Sequence, residues 1–303
     1  MNVNATWAAV DWGSTNVRAF LLDADARILT QTRAPFGRKH TEPAAYPGVL
    51  SDLLAALSAK PDRVLLGGMV GSRGGWLEVP YATCPAGVGD LAAKAMTPPE
   101  FPSARIVPGL CCQRTTGSGD VMRGEEVQCC GALQLAPDIT SLCLPGTHSK
   151  WVRFAAGKIA EFTTFCTGEL FDAVRHHTLL GALIPKEQAV DATPGEGFTL
   201  GLQRATAEPG LLSALFSVRA DTLLGGIPPE QAADYLSGIL IGSELREVRD
   251  AGMLESVLLI ADGGLARRYA IALQQFGATV QEIASADAFV AGAALIAEQV
   301  TWD

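Results

Sequence analysis

Asp11 ends an apolar run and is followed at once by Trp12–Gly13–Ser14–Thr15–Asn16, after which apolar residues resume. This is the pattern of a β-hairpin whose turn carries small residues and hydroxyls. Gly13 can adopt a left-handed backbone, and Ser14, Thr15 and Asn16 offer backbone N–H groups and short donors. Such a turn holds phosphate oxygens, and a carboxylate at the end of the leading strand can hold the Mg²⁺ that travels with them. A second turn of the same kind lies in Leu144–Pro145–Gly146–Thr147–His148–Ser149–Lys150–Trp151. One such turn in each half suits a triphosphate gripped from both sides, with Gly13–Asn16 and Gly146–Thr147 as the phosphate contacts. His148 reads as a surface turn residue. Lys150 reads equally as a phosphate contact or a solvated charge.

Three further stretches carry chemistry. Thr116–Gly117–Ser118–Gly119–Asp120 is a glycine-rich turn ending in a carboxylate, and the residues after it read as a helix. Asp120 at that helix start is either an N-cap or a general base that takes the proton of a sugar hydroxyl as a phosphoryl group transfers. The loop Gly67–Tyr81 is rich in glycine, which lets backbone approach a ligand, so Met69, Gly71, Ser72, Arg73 and Trp76 are candidate substrate contacts. The Arg73 guanidinium offers a fork for a carboxylate, with Arg123 as the competing cation and Trp76 as an apolar wall. Late in the chain, Leu259–Ile260–Ala261–Asp262–Gly263–Gly264–Leu265 reads as strand, glycines, helix. Gly263, Gly264 and Leu265 would let a nucleoside lie against the backbone. The chain has neither a Walker A pattern nor a G-x-G-x-x-G fingerprint.

Positioning these groups takes a repeated plan. Residues 6–11, 16–23 and 27–34 read as a three-strand meander, 44–59 as a helix and 63–69 as a buried strand. A second meander occupies about 140–145, 150–155 and 158–165, followed by helices from 169 to 250. A strand at 257–261, a helix at 266–276, a strand at 279–283 and a small-residue helix at 287–299 complete the chain. Alanine and glycine in that last helix permit a close crossing, which places it near the helix after Asp120 and near a hinge. The expected architecture is two α/β lobes: residues 1–118 with the first phosphate turn and the sugar loop, and residues 119–303 with the second turn and the nucleoside seat.

Composition narrows the function classes. The 303 residues are 48% hydrophobic with 32 glycines, which fits a globular α/β protein with many tight turns. A net charge of -9 and a pI near 5.0 argue against a nucleic-acid binder. An anionic substrate then needs a local cation. The N-terminal residues show no secretory signal, and the longest apolar run, 288–297, is too short to span a bilayer, so a cytoplasmic protein is expected. Seven cysteines, an odd number without a C-x-x-C, read as reduced structural thiols. The adjacent His176 and His177 point to different helix faces and make a poor metal pair.

The paired hairpins and the late strand–Gly–Gly–helix resemble the phosphate and adenosine motifs of the sugar kinase, heat-shock chaperone and actin superfamily. More closely, Asp11–Asn16, Gly68–Arg73, Asp120–Glu126 and Leu144–Trp151 resemble the 2-dehydro-3-deoxygalactonokinases, as do Thr167–Phe171 and Leu215–Arg219. That resemblance covers nearly the whole chain. It implies the two-lobed actin-like ATPase fold with duplicated ribonuclease H-like domains and an interlobe cleft that closes on the sugar. It also implies ATP-dependent phosphorylation of the 6-hydroxyl of 2-dehydro-3-deoxy-D-galactonate. In that frame Asp11 serves Mg²⁺, residues 13–16 and 146–147 the phosphates, Asp120 the base and residues 263–265 the nucleoside. ATP and Mg²⁺ are the cofactors and the sugar acid the small-molecule partner, without nucleic acid or membrane, and a homodimer is the candidate assembly. Two alternatives stand beside it. Thr115–Asp120 also resembles the ribokinase-type signature, which again selects Asp120, although there it lies late in the chain. A non-catalytic actin-like sugar-binding ATPase would hydrolyse ATP regardless of any sugar acid.

Overall fold

The computed structural model describes residues 6–58, 60–114, 116–186 and 193–302. Ala59, at the end of the expected first helix, and Thr115, in the ribokinase-like stretch, lie outside the described residues. The first meander is β1 (Trp7–Trp12), β2 (Val17–Leu22) and β3 (Ile28–Ala34). Helix α1 (Tyr46–Ala56) and strand β4 (Val64–Gly68) follow, then β5 (Ala82–Thr83), α2 (Val88–Ala92), β6 (Ala104–Ile106), β7 (Leu110–Gln113) and β8 (Gly119–Met122). Helix α3 (Glu125–Leu135) leads into the second meander, β9 (Ser141–Leu144), β10 (Ser149–Ala155) and β11 (Lys158–Phe165). Helices α4 (Thr167–His177), α5 (Glu196–Ala207), α6 (Leu211–Leu223) and α7 (Ala232–Asp250) precede β12 (Ser256–Ile260), α8 (Gly263–Gln275), β13 (Thr279–Ile283) and α9 (Ser285–Gln299).

The expected duplication is plain in the sheets. One runs β3-β2-β1-β4-β6 and the other β11-β10-β9-β12-β13. In each, the first strand of the meander pairs antiparallel with the second and parallel with a strand that arrives after helices. A parallel partner must be reached by a crossover, which is why both sheets carry helices and why β4 and β12 read as continuous apolar runs. The register of β1 against β4 sets Asp11 beside Gly67 and Trp12 beside Gly68.

The chain divides into two compact units: Met1–Asp138 with Phe154–Phe162 and Ser285–Asp303, and Ile139–Arg153 with Thr163–Ala284. These units differ from the expected split after residue 118. The reason is packing. Helices α3 and α9 cross so closely that a Cβ on Gly131 would meet the Ala288 carbonyl oxygen at 1.9 Å, and one on Gly292 the Val127 carbonyl oxygen at 1.8 Å. The last helix therefore belongs to the first unit, against α3 as its small residues imply. Gly292→Ala should lower stability by roughly 1–3 kcal/mol, outweighing the gain of about 1 kcal/mol from replacing a helical glycine. Gly48→Ala in α1, where a Cβ would meet nothing within 4 Å, is the control and should leave the denaturation midpoint unchanged or raised. Equal midpoints for the two variants would refute the close crossing.

The first unit's core gathers Trp12, Tyr46, Leu50, Val64 and Ile106 between the sheet and α1. The second has one cluster around Trp151, Phe198, Leu259 and Tyr269, and another around Val174, Leu215 and Ile239.

A third sheet, β5-β7-β8, was not foreseen. It corrects the reading of Asp120. That residue is not at a helix start: it lies on β8 opposite Cys112. Gly124, at φ +112°, turns the chain, and the helix begins only at Glu125.

Candidate active site

In the first unit the parallel strands β1, β4 and β6 end together, and such carboxyl ends are where open α/β sheets bind ligands. The turn after β1 is closed by Gly13 N–H donating to the Asn16 carbonyl at 2.9 Å, with Ser14 and Thr15 exposed. Its carbonyls are taken by the next segment. Gly37, Arg38 and Lys39 donate N–H groups to Thr15, Gly13 and Ser14 at 3.0, 3.0 and 2.9 Å. Only glycine fits at 37, where a Cβ would come within 2.3 Å of the Thr15 backbone. The turn is thus held from behind, with its hydroxyls outward.

Asp11 accepts from the Arg18 Nε and Nη2 at 3.2 and 2.7 Å. Burial pushes its carboxyl above the usual carboxylate range, Arg18 opposes this, and the charge of Glu125 adds to it. Glu125 had no assigned role in the sequence reading. It opens α3, and Gly124 before it packs on Gly68, where a Cβ would meet the Gly68 Cα at 3.2 Å. Gly68 pairs with Trp12, so the start of α3 lies beside the end of β1. The signal available in the sequence was Gly124–Glu125–Glu126, a glycine followed by two acids, which is a helix-start pattern. Glu126 is fully buried, and both its carboxylate oxygens accept the Gly124 N–H, at 2.9 and 2.7 Å. Burial pushes its pKa up to about 8, with Glu125's charge adding to the effect.

Asp120 lies on β8, ahead of the start of α3. Its carboxylate is ion-paired with Arg114, whose Nε donates at 3.1 Å, and it accepts the Val121 N–H at 2.8 Å. Asp11 and Glu125 are hard oxygen donors of like charge, an arrangement that a cation relieves. Among the described residues no third His, Cys, Asp or Glu completes a metal cluster. The Asp11 carboxylate is the kind of hard oxygen donor that suits Mg²⁺, an ion that keeps several waters and takes phosphate oxygens.

The glycine loop folds as tight turns. Ser72 donates its hydroxyl to the Met69 carbonyl at 2.6 Å and Trp76 its indole to Glu100 at 3.0 Å, with the Trp76 ring stacked on Tyr46. The Arg73 side chain is 91% exposed and lies 3.5 Å from the Glu78 carboxylate. Arg123 contrasts with it. Its guanidinium sits over the Tyr81 ring at 4.4 Å and donates to the Val79 carbonyl at 2.8 Å, while its buried Nε and Nη1 have no hydrogen-bond partner. A Cβ on Gly71 would meet Nη1 at 2.9 Å, so the loop comes directly up to this guanidinium. Buried donors without partners demand an explanation, and an anionic ligand is one.

The second unit holds a cavity of about 250 Å³. Its wall includes Gly146 of the second turn, Thr167 and Gly168 at the start of α4, and Gly264 and Leu265 at the start of α8. Gly263 and Thr147 flank this wall in sequence. Phe171, Arg268 and Tyr269 also line it and were missed, because each reads in sequence as an ordinary helix-face residue. The turn at Gly146 is buttressed much as the first is: Glu169 donates its N–H to the Thr147 carbonyl at 2.9 Å, and its carboxylate bonds His148 at 2.8 Å. Lys150, read as solvated or phosphate-bound, is buried, with Nζ 3.3 Å from the His148 carbonyl oxygen.

A sequence profile described as 2-keto-3-deoxy-galactonokinase matches residues 11–296. A 2-dehydro-3-deoxygalactonokinase of Escherichia coli (strain K12) is 37% identical over 300 residues, 98% of this chain and 99% of that protein. The chain belongs to the 2-keto-3-deoxy-galactonokinase family. A solved structure of a candidate 2-dehydro-3-deoxygalactonokinase from Sinorhizobium meliloti superposes with a TM-score of 0.88 at 36% identity, covering 96% of this chain and 98% of that one. A more distant likeness, of fold alone, is the activator of the 2-hydroxyisocaproyl-CoA dehydratase from Clostridium difficile, solved with bound ADPNP. Its TM-score is 0.55 at 14% identity, covering 97% and 96% of the two chains. Among the described residues of this 2-keto-3-deoxy-galactonokinase family member, no helix is long and apolar enough to cross a membrane.

Proposed function

We propose that this protein transfers the terminal phosphoryl group of ATP to the 6-hydroxyl of 2-dehydro-3-deoxy-D-galactonate. The observation that carries the reading is the match along almost the full length of an enzyme with that name. In the first unit, the turn at Gly13–Asn16 receives phosphate oxygens and the loop Met69–Trp76 borders the sugar acid. Arg123 supports an anionic substrate better than Arg73, because its spare donors are buried and those of Arg73 face water. In the second unit, the cavity at Gly146, Gly264 and Leu265 is the nucleoside seat, with the start of α8 at Gly263 suited to anionic phosphate.

Asp11 would hold Mg²⁺, directly or through its waters. Bound there, the ion neutralises charge on the phosphate oxygens as transfer proceeds. The sugar oxygen forms a bond to the terminal phosphorus, the bond from phosphorus to the ADP oxygen breaks, and the hydroxyl proton passes to a carboxylate of the protein. We assign that acceptor to Glu125 in preference to Asp120, whose carboxylate is ion-paired with Arg114.

A panel of keto-deoxy sugar acids and neutral hexoses with ATP and Mg²⁺ tests the reading. The galactonate-derived acid should be phosphorylated efficiently and galactose or glucose poorly, since a neutral sugar leaves the guanidinium without its counter-charge. Equal efficiency on galactose would overturn the substrate class. Steady ATP hydrolysis indifferent to every sugar acid would instead favour a non-catalytic actin-like ATPase.

A further inference from the structure

One strand and two helices of the second unit meet on one buried acid. Glu244, in the middle of α7, is 3% exposed. Its Oε1 accepts the Trp151 indole N–H at 2.7 Å. Its Oε2 accepts the Tyr269 hydroxyl at 2.8 Å and the Thr167 hydroxyl. The Tyr269 oxygen also shares a hydrogen bond with Ser149 at 2.8 Å. Trp151 and Ser149 belong to the strand leaving the second turn, Thr167 opens α4 and Tyr269 lies on α8. Burial pushes Glu244 up and the donors on it oppose that.

An ionised carboxylate only accepts, so it fixes where these hydroxyl protons go. The Thr167 proton points at Glu244, which leaves that oxygen's lone pairs for whatever lies on its other side. The Tyr269 proton points the same way. Both residues line the 250 Å³ cavity. We propose that Glu244 is a positioning residue which fixes Thr167 as a hydrogen-bond acceptor on the cavity wall, so that the cavity selects a nucleotide by a donor group, an O–H or N–H of its ribose or base. This rests on the reading of the cavity as the nucleoside seat.

Glu244→Gln separates positioning from mere support, because it preserves shape and inverts polarity. Its amide N–H₂ would donate to the Thr167 and Tyr269 oxygens and turn their protons outward. The measurement is equilibrium binding by calorimetry of ATP, 2′-deoxy-ATP, 3′-deoxy-ATP and purine riboside triphosphate, which lacks the 6-amino donor. In the unaltered protein one of the three analogues should bind about tenfold more weakly than ATP, the loss of one well-placed hydrogen bond to a polarised group. In Glu244→Gln, ATP should weaken to about the same level while that analogue changes little, and the sugar acid should bind within twofold of normal. Thr167→Val, which keeps Glu244, should erase the same discrimination. The proposal falls if Glu244→Gln weakens all four nucleotides by one common factor, weakens none, or weakens the sugar acid equally. If the unaltered protein binds none of the nucleotides, the seat itself is misassigned, and that result is distinct from the other three.

Discussion

Replacing Glu125 with Gln should lower kcat by roughly 10²–10⁴-fold, the ordinary worth of a positioned general base. The circular-dichroism spectrum and denaturation midpoint should stay near those of the unaltered protein. Glu125 is partly exposed and its Oε2 accepts the Arg123 N–H at 3.0 Å, a bond that the amide oxygen of glutamine can also accept. Asp120→Asn is the matched comparison. It removes the charge facing Arg114 and should cost stability while leaving most of kcat. The two outcomes are opposed: a collapse of kcat in Asp120→Asn with Glu125→Gln active would restore Asp120 as the base. A loss in both, with MgATP binding also lost only in Glu125→Gln, would make Glu125 a metal-binding group and leave Asp120 the proton acceptor.

Arg123→Met should raise KM for the sugar acid about tenfold to a hundredfold, since a hydrogen bond to a charged group contributes on the order of 1.5–3 kcal/mol. KM for ATP should stay nearly unchanged. Methionine keeps the apolar stem over Tyr81 and forfeits the bond to Val79, so a modest fall in stability accompanies it. Arg123→Lys, which keeps a charge but not the fork, should fall between the two. Arg73→Met should be close to neutral, because that side chain is 91% exposed. A defect specific to the acid in Arg73→Met, absent in Arg123→Met, would return the carboxylate to Arg73.

Much of this arrangement was legible in the chain because it follows from local rules. The two meanders announce themselves by apolar runs broken at Gly13–Asn16 and Pro145–His148, and the alanines and Gly292 of α9 forecast its crossing with α3. What failed to show was polarity placed against the rule. On β8 the acid faces inward and the apolar residue outward: Asp120 is 8% exposed and Val121 51% exposed. That inversion hides the strand's alternation and makes the glycines before it look like the entry to a helix. Arg114 compensates the buried charge, but the pairing needs the β7–β8 hairpin to exist first. Glu244 was hidden for a similar reason. An acid in a long helix reads as a solvated face, and only the fold brings Trp151, Thr167 and Tyr269 to it. The substrate loop was visible as a loop, yet which arginine carries spare buried donors depends on Tyr81 and Val79, contacts that spacing alone does not encode.

The crossing of α3 with α9 also has a bearing on biosynthesis. Helix α3 is finished by residue 135, and its glycine face stays bare until residues 285–299 are made. Nearly 150 residues separate the two, and they contain the whole second unit. At 5–20 residues per second the ribosome takes roughly 7–30 s over them. The unit encoded mainly at the front of the message is therefore the last to be completed, and the unit encoded inside it can fold first. A chain cut before Ser285 would carry every residue lining the second unit's cavity and an unfinished first unit, so premature termination would strike the unit whose synthesis began first.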